Sequence, residues 1–377
     1  MADVSHLSEA ERELFERARA LADEVFAPLA SEGEPGRVNR PLLRALGDKA
    51  LLARVLPAEG EGSAIELCLL REGLAHGCTE AETALALQGL GGYPILRRAR
   101  ADMRDEWIPR LATGKAVAAF ALSEPGAGSD AAALALRAEA EGDGFRLTGT
   151  KLWISNAPEA DVYTVFARTT EGAGSRGVTA FAVPRASEGL SGEPLELLAP
   201  HPIGRLQFDG VSVGQEQMLG ELDHGFAVAM ETLDLFRPSV GAFAVGMAQA
   251  ALEAAVSYAA ERRAFGRPLA EFQAVGHQLA DVATRVQAAR LLVHHAASAY
   301  DNGVRPVRRE AAMAKLFATE TAQQAVDVAI QVHGARALER GHLLEHLYRE
   351  VRAPRIYEGA SEVQREIIAR ELFKEPA

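Results

Sequence analysis

The sequence predicts a multidomain α and β protein with an N-terminal α-helical domain, a middle antiparallel β-barrel domain and a C-terminal four-helix bundle. Three observations carry this prediction. Alanine- and leucine-rich segments with few β-branched runs fill residues 1–115. Short runs of two-residue periodicity, separated by Gly and Pro turns, fill 116–217. An apolar spacing that alternates three and four from Phe272 to Tyr300 marks 218–377 as a bundle.

In the first segment Ser8 and Glu11 have the spacing of a capping box, ahead of an apolar stripe of Leu14, Phe15, Ala18, Leu21, Ala22, Val25 and Phe26. Helix breaks are expected at Gly33 to Gly36, Pro57 to Gly62 and Gly89 to Gly92. In the second segment Phe145, Leu147, Lys151, Trp153 and Ser155 follow a Gly142-Asp143-Gly144 turn. Further strands are expected at Asp161–Arg168, Gly177–Val183 and Arg205–Val213, in an antiparallel sheet or barrel. In the third, Phe272, Val275, Leu279, Val282, Val286, Ala289, Val293, Ala296 and Tyr300 form the seam of a helix in a bundle. Val240 to Tyr258 is apolar nearly all round, as in a helix buried on several sides or at a subunit interface.

The 377 residues carry a formal charge of −12, which argues against binding nucleic acid through general electrostatic attraction. Met1 to Leu14 has charges of both signs and no apolar core, so it does not read as a signal peptide. No stretch approaches the roughly eighteen unbroken apolar residues of a membrane span, so no membrane partner is expected. Cys68 and Cys78 stand alone, which disfavours a metal site or a disulfide framework and points to a reducing, cytoplasmic setting.

Three stretches carry chemistry. Ser123-Glu124-Pro125-Gly126-Ala127-Gly128-Ser129-Asp130 allows backbone N–H groups close to an anion; alone it reads as a surface turn. Lys151-Leu152-Trp153-Ile154-Ser155-Asn156 puts an indole and a hydroxyl on one strand face, which suits a planar cofactor ring or, more plainly, a barrel core. Tyr357-Glu358-Gly359 sets a carboxylate between an aromatic and a glycine. That arrangement suits a general base held in apolar surroundings, although a Glu-Gly pair alone reads as an exposed helix start.

Together with Leu233-Asp234-Leu235-Phe236-Arg237-Pro238, Glu261-Arg262-Arg263-Ala264-Phe265-Gly266, Gln273, Gln331 and Arg349-Glu350-Val351-Arg352, these stretches resemble the acyl-CoA dehydrogenase family of flavoproteins, in family order from about residue 120 to 370. The resemblance implies FAD as cofactor and an acyl-CoA substrate. Phe120, Leu122, Ser123, Gly128 and Ser129, with Trp153, Ile154 and Ser155, would line the isoalloxazine ring. Arg262 and Phe265, with Gln273, would reach the pyrophosphate and adenine from a neighbouring subunit, making a homo-oligomer, usually a tetramer, necessary. Gln331, Val332, Gly334 and Ala335, with Ala360 and Glu362, would complete the dinucleotide site. Ser129, Asp234, Arg237 and Gly359 match positions that contact acyl-CoA, and Glu358 matches the catalytic base. An ion pair between Asp234 and Arg237 is an equally good reading of those two.

The implied reaction removes the α-proton of a thioester with Glu358 while the β-hydrogen passes as hydride to the flavin N5, giving a trans-2-enoyl thioester. The N–H of Glu358 and a ribityl hydroxyl would hold the thioester carbonyl as negative charge develops on it. Some family members place the base immediately before the arginine of the Asp-x-x-Arg motif, where this chain has Phe236, which cannot accept a proton. Electrons would pass on to an electron-transferring flavoprotein. The alternatives are a flavin-dependent oxidase or monooxygenase on the same fold and a non-catalytic helical assembly protein.

The chain departs from the family pattern in several places. Gly334-Ala335-Arg336-Ala337 stands where Gly-Gly-x-Gly is common, and Ala360 where Thr or Ser is usual. Ala199 to Arg205 is a short loop stiffened by proline, and Pro57 to Gly62 replaces a usual Tyr-Gly-Gly loop. These changes suggest a short, branched or cyclic acyl group.

Overall fold

Glu11 N donates to Ser8 Oγ, and Ser8 N donates to Glu11 Oε2 at 2.8 Å. This reciprocal cap starts α1 (Glu9–Leu21) in a computed structural model that describes residues 3–304 and 307–374. The apolar stripe buries Leu14, Phe15, Ala18, Ala22 and Phe26 and leaves Leu21 and Val25 half-buried. Next come α2 (Ala27–Ser31), α3 (Arg40–Asp48), α4 (Leu52–Val55) and α5 (Ala64–Gly77), interrupted at Gly33–Gly36 and Pro57–Gly62 as expected.

The break expected at Gly89–Gly92 does not occur, because α6 (Thr79–Arg98) runs straight through it. These glycines serve packing instead. A Cβ on Gly91 would lie 2.6 Å from Ala119 N, so the bare backbone is what lets the next strand approach. After α7 (Ala101–Ala112) that strand, β1 (Ala118–Ala121), opens a seven-stranded sheet.

Its other strands are β2 (Arg137–Glu141), β3 (Gly144–Ser155), β4 (Val162–Arg168), β5 (Val178–Pro184), β6 (Leu190–Pro194) and β7 (Ile203–Gly214). The spatial order is β1-β4-β2-β3-β7-β6, with β5 added on β4. The sheet is mixed where an antiparallel one was expected: β1 and β2 run parallel to β4, and all other pairs in it are antiparallel. Consecutive hairpin strands must be antiparallel, but β1 reaches β4 through a long crossover that frees its direction. β4 is buried along nearly its whole length, as a strand covered on both faces should be, whereas β7 alternates buried and exposed.

The remaining helices are α8 (Gly225–Glu261), α9 (Gln273–Asp301), α10 (Arg308–His333), α11 (Leu343–Glu350) and α12 (Ser361–Leu372). A two-residue ribbon, β8 (Arg263–Ala264) and β9 (Arg267–Pro268), joins α8 to α9. On α9 the predicted seam is buried from Val282 through Tyr300 and half-buried at Phe272, Val275 and Leu279. Among the described residues, α8 is long and apolar enough to cross a membrane by length and composition, yet its apolar window is mostly buried as in a core helix.

Two compact units emerge. Met1–Ala27, Ala64–Glu82 and Asp234–Ala377 form one, built from packed helices. Pro28–Ser63 and Thr83–Leu233 form the other, which holds the sheet.

Candidate active site

In the sheet-bearing unit the Ser123–Asp130 stretch leaves β1 as a tight turn in which Glu124 N donates to Ala127 O and Ala127 N to Glu124 O, each at 3.1 Å. Gly128 and Ser129 are exposed; Phe120, Leu122 and Ser123 are half-buried, and the Phe120 ring packs 4.8 Å from that of Phe166. Beneath the turn lies an ion pair that the sequence did not announce. Lys151 Nζ, wholly buried, donates to Glu124 Oε1 at 2.8 Å and to Leu122 O at 2.9 Å. Glu124 also accepts from the N–H groups of Ala135 and Leu136. Burial pushes the Lys151 ammonium down to about 8, against the pull of Glu124.

Two residues along β3, Trp153 adopts a left-handed φ of 57° where the β3–β7 register shifts. This bulge leaves the indole 49% exposed while Leu152 and Ile154 stay buried. Ser155 is half-buried, and Asn156 Nδ2 ties the strand end to Ala118 O at 2.8 Å. A large aromatic held out of the core by backbone strain, beside a turn with exposed backbone, fits a planar, anionic cofactor better than it fits a barrel core.

In the helical unit Glu358 and Gly359 both take positive φ, 50° and 94°, immediately before α12 begins at Ser361. The helix-start reading of this stretch is therefore right about position. The carboxylate, however, is turned inward, and its Oε2 is closed off from solvent with no hydrogen-bond partner among the described residues. Burial pushes the Glu358 carboxyl above its usual range; Arg71, Lys315 and Arg237, in that order, pull it back down.

The segment is clamped onto α10. Arg355 pairs with Glu320 Oε2 at 2.9 Å, the Ser361 hydroxyl donates to Glu320 Oε1 at 2.7 Å, and Lys315 Nζ donates to Gly359 O at 2.6 Å. From α5 the buried Arg71 pairs with Glu82 and donates to Ser239 Oγ on α8 at 2.7 Å. Arg237 lies 3.6 Å from Asp234, so the ion-pair reading of those residues holds, and its guanidinium also faces Glu358.

The structure thus gathers Glu358, Gly359 and Arg237 into one cluster and adds Lys315 and Arg71, which the sequence reading missed. Lys315 had a signal: one cation on the buried, alanine-rich face of α10, among Ala311, Ala312, Ala314 and Ala318. Arg71 is likewise a charge set inside an apolar helix.

Of the other nucleotide candidates, Ala360 and Glu362 closely follow Gly359 and Glu362 faces Lys315, while the rest lie at the ribbon and the end of α10. Arg262 and Gln273 are exposed at either side of the ribbon, and Phe265 at its turn is 95% exposed. Gln331, Gly334 and Ala335 are exposed at the end of α10, Val332 and Ala360 half-buried, and Glu362 exposed.

The sheet-bearing unit thus offers an exposed indole, and the helical unit an inward-turned carboxylate whose Oε2 has no partner among the described residues. Family models for acyl-CoA dehydrogenase match three times: the N-terminal domain over residues 8–115, the middle domain over 119–211 and the C-terminal domain over 223–373. The chain is 35% identical over 378 residues to cyclohexane-1-carbonyl-CoA dehydrogenase of Geobacter metallireducens, covering 98% of this chain and 99% of that protein. It superposes with a TM-score of 0.92 and 32% identity, over 100% of both chains, on a chain in a structure of the electron transferring flavoprotein of Acidaminococcus fermentans. Butyryl-CoA dehydrogenase from Megasphaera elsdenii follows at TM-score 0.90 and 30% identity, over 97% of this chain and 99% of that one. The chain belongs to the acyl-CoA dehydrogenase family and is an FAD-dependent oxidoreductase.

Proposed function

We propose that the protein catalyses α,β-dehydrogenation of an acyl-CoA thioester to the trans-2-enoyl-CoA, with Glu358 as the base. The observation that carries this is the half-buried Glu358, its backbone strained and its carboxylate Oε2 closed off from solvent and unpartnered among the described residues. An acceptor oxygen shielded from water is a stronger base than one in solvent, and Oε2 is where the α-proton goes. Bound FAD supplies the hydride acceptor. Gly128, Ser129, Trp153 and Ser155 are the residues we assign to its ring, on the strength of their exposed or half-buried placement. Ser129, Asp234, Arg237 and Gly359 are assigned to the acyl-CoA.

The acyl group is short, branched or cyclic in this reading. Its support is the altered loops together with the cyclohexane-1-carbonyl- and butyryl-CoA enzymes among the relatives. We assign an electron-transferring flavoprotein as the acceptor, in keeping with the match to a chain from a structure of such a flavoprotein. A cytoplasmic homotetramer organised as domains 1–115, 116–217 and 218–377 completes the reading. The oligomer has the support of the exposed Arg262, Phe265 and Gln273, side chains we assign to the cofactor of a neighbouring subunit.

The deciding experiment is anaerobic. Acyl-CoAs are added one at a time to the yellow holoprotein, and loss of the yellow colour reports reduction of the flavin. Short, branched and cyclic substrates should bleach fastest, and Glu358→Gln should keep its colour with every one of them. Bleaching that rises steadily with linear chain length would refute the substrate class; a Gln variant bleaching at the wild-type rate would refute the base.

A further inference from the structure

We propose that Lys315 is the positioning residue of the base: from the buried face of α10 its ammonium holds the Gly359 carbonyl, keeps Glu358 in its left-handed conformation and provides a cation, hydrogen-bonded to the same segment, against which the carboxylate ionises. The proposal rests on Glu358 being the base.

Lys315 is wholly buried among small residues, Ala311, Ala312, Ala314 and Ala318, where methionine would fill the same space without desolvating a charge. A cation in that place must have partners that need it. One is Gly359 O, 2.6 Å from Nζ. That carbonyl already accepts from Gln364 Nε2 at 2.9 Å, and Gln364 also reaches Glu358 O at 3.2 Å. The hydrogen bond alone is therefore duplicated by a neutral side chain. Charge is what Lys315 adds.

The charged groups facing it are Glu358, Arg237 from α8, Glu320 from α10 itself and Glu362 from α12. Arg71 from α5 pulls on Glu358 more strongly but is committed to Glu82, and Arg237 is paired with Asp234. Glu320 is likewise engaged by Arg355 and Ser361. Lys315 is therefore the cation joined by one hydrogen bond to the strained Glu358–Gly359 pair. Burial brings its own ammonium down to about 8, so at neutral pH it remains charged for most of the time. A base pushed towards its neutral form by burial needs such a neighbour to be ionised before substrate arrives.

The test compares Lys315→Met, Lys315→Gln and Lys315→Arg with wild type as FAD-loaded full-length protein. Flavin absorbance and circular dichroism report loading and folding. Infrared titration then follows the carboxyl band that Glu358→Gln identifies, a readout independent of turnover. Met should raise the midpoint of that band by about one pH unit or more, because an opposing charge has been removed. Gln, which keeps the donor and loses the charge, should shift it in the same direction, and Arg should restore it. On the best acyl-CoA, Met should lower kcat about tenfold or more while KM changes less than about threefold, as for an interaction expressed in the reacting state. A Met variant titrating at the wild-type midpoint overturns the proposal. If Met does not fold, a Gln variant with the wild-type midpoint overturns it equally. If no acyl-CoA bleaches wild type, the dehydrogenase reading fails while the infrared midpoints still decide the coupling of Lys315 to Glu358.

Discussion

Lys151 Nζ and Glu124 Oε1 stand 2.8 Å apart, neither open to solvent, and join the strand that carries Trp153 to the turn that carries Gly128 and Ser129. Removing one partner leaves an uncompensated buried charge. Lys151→Met should destabilise the protein by about 3–5 kcal/mol, and the Lys151→Met/Glu124→Leu pair by much less. Chemical denaturation of the two variants checks this; equal losses would show that the pair is not coupled.

Trp153 makes the opposite case. With its indole half in water, Trp153→Ala should change stability by no more than about 0.5 kcal/mol. Loss of ring stacking worth about 0.5–1.5 kcal/mol should nevertheless weaken FAD retention several-fold. Differential scanning calorimetry of the apoprotein and a fluorescence titration with FAD measure the two effects separately.

Glu358 should dominate the pH profile. Its carboxyl titrates above the usual 4.5, and a base works only when ionised, so kcat/KM should fall as pH drops through a midpoint above 4.5. Stability runs the other way. An acid whose folded value is raised binds its proton more tightly when folded; that contribution is complete below 4.5 and is lost as pH rises through the folded value. Glu358→Gln lacks this loss, so its melting temperature should gain on wild type as pH rises from 4.5 through the folded value. A constant difference across that range would contradict the assignment.

Glu253 gives a control of opposite sign, remote from catalysis. The His76 side chain, 3.0 Å away, holds its carboxyl down at about 2. Its contribution is present above the usual 4.5 and is lost as pH falls from there towards 2. Glu253→Gln should flatten the acid limb of the stability curve in that window, by an amount reduced because the side chain is partly in solvent.

Gly359→Ala should cost about 1–3 kcal/mol, since φ is 94° and the new Cβ would lie 2.3 Å from Gln364 Nε2. Because the same residue carries the carbonyl that Lys315 holds, kcat should fall with stability. Thermal melts paired with turnover assays test the link.

The sequence made legible whatever depends on local pattern. The Ser8 cap, the α9 seam and the strands ending at Ser155, Arg168 and Gly214 follow from periodicity and breakers that act over a few residues. β6 escaped because an exposed edge strand such as Leu190–Pro194 has no buried face to alternate. The parallel register of β1 and the continuity of α6 depend on partners distant in sequence, and glycine does not declare whether it bends a helix or admits a neighbour. At the site, Glu358 and Trp153 were singled out by the motifs that carry them, and the structure turns one carboxylate inward and one indole outward. Lys315 and Arg71 act through space on a carboxylate far along the sequence, so a motif could not reveal them.

One consequence follows from the bare backbone of Gly91. The contact it permits seats β1, and β1 leads straight into the segment assigned to the flavin ring, so a single added methyl would disturb cofactor retention while every reactive group kept its identity. Inherited variation that silences this enzyme is accordingly to be sought as much at a position with no side chain as at the acid that takes the proton.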